Sequence, residues 1–156
     1  MPVLNQIEFN PYMVYEEIVS ACRAYEITVQ AYAPIGSGLR GQENVKLGKQ
    51  AMKTKRCEHQ RFNILTKDCE EHSSSVLDDP VLKGISDRIG CTVAQLSIAW
   101  AIKRNVAVVT KTENRPRMNE NLNSTVFIEK ITSDDMKKID SLNANICKFW
   151  DISKFP

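Results

Sequence analysis

The stretch that most constrains this chain is residues 106–121, VAVVTKTENRPRMNEN. It opens on a β-branched run, Val106 to Thr110, with polar residues on both sides. Such a run predicts a fully buried parallel strand. Lys111 and Thr112 follow, then Asn114 as a helix N-cap and Pro116 just inside the first turn. A strand, a short polar loop and a helix N-terminus therefore carry Lys111 and Arg117 together. Unpaired N–H groups, the positive end of the helix dipole and two cationic side chains suit a phosphate. On these residues alone a solvated basic loop fits as well, since helix N-termini tolerate such residues without binding anything.

At 156 residues, 42% hydrophobic and 26% charged, the chain is sized and composed for one globular domain. A net charge of +2 argues for neither a nucleic-acid surface nor an acidic tail. No apolar run approaches the roughly 18 residues of a membrane span. The first residues lack a basic region, an apolar core and a cleavage site, so no signal peptide is expected. Cys22, Cys57, Cys69, Cys91 and Cys147 are an odd, scattered set, which predicts reduced thiols and a cytoplasmic protein.

Residues 3–9 predict a short strand, ended by the turn signal Asn10-Pro11. Val14, Ile18, Val19, Cys22 and Tyr25 then recur on one face of an amphipathic helix. Residues 27–32 predict a second strand, followed by a loop with Gly36 and Gly38. Strand, helix and strand make a βαβ unit and imply parallel strands. Residues 39–76 are polar and lysine-rich, and are expected to be a loop insertion. Asp79-Pro80 signals a helix with Val81, Leu82, Ile85 and Ile89 inward and Gly90 as its stop. Thr92 caps a helix over Val93–Lys103 that is apolar nearly all round, which predicts deep packing and makes Trp100 a core residue. The 106–121 stretch follows, and then a last helix begins at Thr132, with Met136, Ile139 and Leu142 inward, before an irregular tail.

Three strands alternating with helices, each running into a polar loop, are the habit of a (β/α)8 barrel. Three strands of eight make this a partial TIM barrel: roughly the last three βα units plus a C-terminal helix and tail.

Several motifs carry a family resemblance: Asn5-Gln6-Ile7-Glu8-Phe9-Asn10-Pro11-Tyr12, Ala31-Tyr32-Ala33-Pro34-Ile35-Gly36-Ser37, Asp79-Pro80-Val81-Leu82 and Thr92-Val93-Ala94-Gln95-Leu96 through Trp100. Lys111-Thr112 with Arg117, Glu120 and Asn121 complete the set. In order and spacing they resemble the C-terminal half of the aldo-keto reductases, barrel oxidoreductases that reduce aldehydes and ketones with NADPH. The resemblance implies that Gln6 holds the nicotinamide carboxamide and that Tyr32 stacks on the nicotinamide ring. It implies that the loop from Ala33 through Ile35 to Ser37 cradles the pyrophosphate. It places Lys111, Thr112, Asn114 and Arg117 at the 2′-phosphate, with Glu120 and Asn121 near the adenine. Trp150, with Phe149, falls where the family's C-terminal loop lines the substrate pocket.

The same resemblance defines what is not matched. The family's general-acid tyrosine, with its supporting lysine, aspartate and histidine, belongs to the N-terminal half, so the chain alone is expected to be inactive. Glu113 stands where the family has an apolar or aromatic residue, and Thr110 where it has proline. A carboxylate beside a 2′-phosphate site opposes NADPH and suits NADH, whose ribose hydroxyls it can accept from. Two rival readings stay open. The chain is a non-catalytic truncated protein that binds a partner through exposed barrel edges, or Cys57, His59, Cys69 and His72 organise a zinc module. The expected partner in the full-length family is a small carbonyl substrate, with neither nucleic acid nor membrane involved.

Overall fold

The computed structural model describes residues 1–36 and 75–145. Strand β1 (Leu4–Glu8) leads to helix α1 (Glu16–Ala24) and strand β2 (Thr28–Tyr32). A 3-10 turn (Val76–Asp78) opens the second described segment, followed by α2 (Pro80–Ile89), α3 (Val93–Lys103) and strand β3 (Ala107–Val108). Helix α4 (Arg115–Leu122), a 3-10 stretch (Asn123–Lys130) and α5 (Ser133–Asp140) complete it. The sheet order is β1-β2-β3 and both pairings are parallel. Gln6 lies opposite Gln30, Glu8 opposite Tyr32, and Gln30 opposite Ala107.

Helices α2 to α5 begin at residues whose side chains accept a hydrogen bond from the first-turn backbone, as the local sequence dictates. Asp79 caps α2 by accepting from the N–H groups of Val81 and Leu82, and Gly90 ends it in the left-handed region at φ 79°. Thr92 with Gln95 forms a capping box on α3, and Thr132 with Asp135 forms one on α5. The two helices that feed β2 and β3 end alike: Ile27 donates to the Cys22 carbonyl and Val106 to the Ala101 carbonyl. Glu26 and Asn105 supply the left-handed residue at these two turns, at φ 55° and 60°.

The core lies between one sheet face and the helices. Ile7, Ala31 and Val108 share that face by register, and Val19, Leu96, Trp100, Ile131 and Ile139 pack over it from the other side. Fully buried Trp100 stacks on fully buried Phe9 at 5.1 Å between ring centroids. Arg104, just past α3, ties three elements together. It donates to Glu16 at 2.7 Å and to Asp140 at 2.8 Å, while its carbonyl accepts from Arg23.

Several expectations shift. The run 106–110 is not a fully buried strand: only Ala107 and Val108 join the ladder, Ala107 is exposed and Val109 is 38% exposed. The strand sits at the sheet edge, with no strand on its outer side among the described residues. Helix α1 starts at Glu16 rather than Val14, because Tyr15 takes a left-handed conformation at φ 50°, and Tyr25 ends up 64% exposed beyond the helix. Val81 also points outward, one residue off the stripe of Leu82, Ile85 and Ile89. Val76, expected to close the insertion, is instead fully buried in the core. The rest of that segment and the tail lie outside the described residues.

Buried Asp135 closes the α5 capping box and pairs with Arg88. Burial pushes its carboxyl up, but the Thr132 hydroxyl and N–H and the Arg88 guanidinium outweigh that and hold it below its ordinary 3.8. A carboxylate depressed in the folded state contributes stability that is fully present above its unfolded pKa. That stability is lost as pH falls through the folded pKa. Urea midpoints should therefore be insensitive to Asp135 near neutrality and decline as pH drops below 3.8. Asp135→Asn should flatten that acid-side decline, and an unchanged slope would remove Asp135 from the account.

Candidate functional site

Parallel pairing brings the C-terminal ends of all three strands to one edge of the sheet, where the loops with chemistry begin. The sheet face turned away from the helices carries Gln6 and Glu8 on β1 and Gln30 and Tyr32 on β2, in two facing pairs. This follows from strand periodicity: Ile7, Val29 and Ala31 alternate with these residues and enter the core. The exposed Gln6 amide donates to the Gln30 side-chain oxygen at 2.6 Å. Glu8 is 1% exposed and accepts from the Asn10 amide at 3.3 Å. Tyr32 is half-buried. Gln6 and Tyr32 are thus brought to one face, one residue pair apart. Glu8 and Gln30 share it and were missed in sequence, although the polar-apolar alternation on both strands marks them.

Beyond β2 the chain turns sharply. Ala33 adopts φ 51°, and the Gly36 N–H donates to the Ala33 carbonyl at 2.9 Å across Pro34 and Ile35. Gly36 is itself at φ 58°, and a Cβ there would stand 2.7 Å from the Val76 side chain. No other residue fits both the backbone and the space. This turn seats Ala33 and Ile35 at the strand end, whereas Ser37 lies outside the described residues.

The loop after β3 forms as its residues suggest. The Thr112 hydroxyl accepts from the Asn114 N–H at 3.2 Å, and the Asn114 side chain accepts from the Arg117 N–H at 3.1 Å, which starts α4. Lys111, Glu113, Arg115 and Arg117 are all exposed. Among the described residues, no ion pair uses Lys111, Arg115 or Arg117. Three cations around a helix N-terminus thus stand open to an anion, with Glu113 the one opposing charge in the loop. Asn121 donates to the Thr110 hydroxyl at 3.3 Å, and Glu120 accepts from the Thr92 hydroxyl at 2.5 Å.

Cys57, His59, Cys69 and His72 lie outside the described residues, as do Phe149 and Trp150. Among the described residues no cluster of His, Cys, Asp or Glu could hold a metal. Nor does Cys91 look like a nucleophile: burial pushes its thiol up, and Lys130 only partly offsets this. No helix among the described residues is long and apolar enough to cross a membrane.

Three comparisons bear on this arrangement. The model of the Aldo/keto reductase family matches residues 1–144. Aldo-keto reductase family 1 member A1-A of Danio rerio is 33% identical over 144 residues, covering 92% of this chain and 36% of the relative. Prostaglandin F synthase 1 of Bos taurus is 29% identical over 153 residues, covering 98% of this chain and 39% of the relative. The crystal structure of a Gox0644 mutant in complex with NADPH superposes with a TM-score of 0.65 at 22% identity, over 92% of this chain and 39% of that one. The chain therefore spans less than two fifths of the length of each.

Proposed function

The chain belongs to the aldo/keto reductase family, and from that premise we propose that it is the cofactor-holding part of an NADPH-dependent carbonyl reductase. The observation that carries this reading is the parallel register. It lines up the polar face with Gln6 and Tyr32, the turn at Ala33 to Gly36 and the cationic loop at Lys111 to Arg117 along one edge of the sheet.

The residues suit the group on their own chemistry. Gln6 carries both a donor and an acceptor, as a carboxamide partner requires, and its hydrogen bond to Gln30 fixes the orientation of its amide. Tyr32 offers a ring on the same face for stacking. The Ala33 turn, with Ile35 and then Ser37, offers backbone donors to a pyrophosphate. Lys111, Thr112, Asn114 and Arg117 bring cations and polar groups to a 2′-phosphate, Arg117 in bidentate fashion. Glu120 and Asn121 would lie near the adenine, and Trp150 would contribute to the substrate pocket. When bound, the nicotinamide supplies the hydride for reduction of an aldehyde or ketone to an alcohol. The oxygen that receives it needs a proton donor, and no residue of this sequence matches the family's general-acid tyrosine. Cofactor binding without turnover is the activity we assign to these 156 residues alone, in the cytosol.

Titration of the purified chain with NADPH, followed by heat and by nicotinamide fluorescence, tests this. Saturable one-to-one binding is expected, and its absence refutes the reading. Glu113 tunes the choice of cofactor. Glu113→Ala should raise affinity for NADPH roughly two- to five-fold, the scale of an exposed charge pair, and leave NADH unimproved. Equal gains for both cofactors would show that Glu113 does not face the 2′ position.

A second reading draws on the sheet edges. Among the described residues neither β1 nor β3 has a strand on its outer side, and Leu4 is 44% exposed. Such edges favour association with another chain. Size-exclusion chromatography with light scattering separates the two, since a monomer that binds NADPH needs no partner.

A further inference from the structure

Helix α4 presents the cationic end of the site, yet it has no buried residue. Met118 and Leu122, its apolar side chains, are 46% and 75% exposed. Apolar packing normally fixes where a surface helix lies. Here the helix is held by polar contacts, and the main one is Glu120.

Glu120 is gripped twice by the start of α3. The Thr92 hydroxyl donates to its carboxylate at 2.5 Å, and the Gln95 amide donates to its backbone carbonyl at 3.0 Å. Both donors belong to a capping box that is already complete without them. The Thr92 hydroxyl accepts from the Gln95 N–H at 3.2 Å, and the Gln95 side-chain oxygen accepts from the Thr92 N–H at 3.1 Å. A hydroxyl has one proton to give beyond what it accepts, and an amide has two. The box closes α3 with its acceptors and reaches across to α4 with its donors. Gln95 is 9% exposed, and its bond to the Glu120 carbonyl is partly buried. Glu120 stands one helical turn beyond Arg117, on the same side of α4.

We propose that Thr92 and Gln95 are positioning residues for the phosphate-binding end of α4, holding Arg117 and the first-turn N–H groups in place through Glu120. This rests on the reading of that end as a 2′-phosphate site. The capping box of one helix thereby sets the cofactor selectivity of the next, and the carboxylate of Glu120 serves as the point of attachment.

The test is calorimetric titration of the full chain with NADP+ and, separately, NAD+, which lacks the 2′-phosphate. Gln95→Met keeps the side-chain length and the bond from the residue 95 N–H to the Thr92 hydroxyl, but removes the amide donor to Glu120 together with the oxygen that accepts from the Thr92 N–H. It should weaken NADP+ about tenfold, the scale of one hydrogen bond, while NAD+ changes less than about twofold. Thr92→Val should act in the same direction. Thr92→Ser, which keeps the hydroxyl donor to Glu120, should bind NADP+ like the parent chain. Unchanged NADP+ affinity in Gln95→Met overturns the proposal while leaving the phosphate site standing. So does a parallel loss of NADP+ and NAD+, the signature of a merely destabilised fold. A parent chain that does not prefer NADP+ to NAD+ refutes the phosphate site itself, and the positioning role with it.

Discussion

Trp100→Ala is expected to destabilise the chain by about 3–5 kcal/mol, enough to unfold a marginal domain. Trp100 is fully buried, stacks on Phe9 at 5.1 Å and lies 5.5 Å from the Arg104 guanidinium. Its indole N–H donates to Asp140 at 2.8 Å, so the side chain fastens α3 to the end of α5 as well as filling the core. Truncation leaves a cavity that stacked Phe9 cannot close and removes the ring above which Arg104 is held. Trp100→Phe separates the two contributions. It keeps the stack and loses the indole donor, which should cost about 1–3 kcal/mol. Asp140 retains its pairing with Arg104, which favours the lower end. Urea unfolding followed by far-UV circular dichroism measures both. Equal losses in the two variants would mean that the hydrogen bond, and not the packing, dominates.

The second large effect concerns binding rather than stability. Lys111→Ala with Arg117→Ala should weaken NADP+ at least about a hundredfold, since each removes a charge-assisted contact worth about 1.5–3 kcal/mol. Neither side chain is in an ion pair among the described residues, and both are exposed. Folding stability should therefore stay within about 0.5 kcal/mol of the parent chain. NAD+ binding should change little, because these two cations have no 2′-phosphate to meet. Raising the salt concentration should weaken NADP+ in the parent chain and have a smaller effect in the double variant. If the variant bound NADP+ as the parent does, the helix N-terminus would be a solvated basic loop, the other reading its residues allow.

Much of the fold is legible in the residues themselves. Asp79-Pro80, Thr92 with Gln95, Asn114-Arg115-Pro116 and Thr132 with Asp135 each mark a helix start, and each is one. Gly90 marks a helix end for the same local reason, its φ of 79°. The site is legible in part. Gln6 and Tyr32 do share a face, and Asn114 does start the helix that carries Arg117. Other features are hidden. The 3-10 stretch Asn123–Lys130 has no sequence signal as clear as a cap, and it packs against α3. The β-branched run at 106–110 suggests more strand than forms, because propensity cannot report which neighbours a strand will have.

The division has a physical cause. Caps, amphipathic stripes and left-handed turns arise between residues three to five apart, so the sequence by itself determines them wherever the residue types are right. Contacts between distant segments depend on how the elements pack, and only the tertiary structure decided those. It set Gln6 against Gln30, laid Trp100 on Phe9, and placed Val76 where any side chain at position 36 would collide with it. It also turned Glu120 to the Thr92 hydroxyl. Nothing local to α4 specifies that attachment, because the donor belongs to the cap of another helix, where any side-chain oxygen would have served the cap itself.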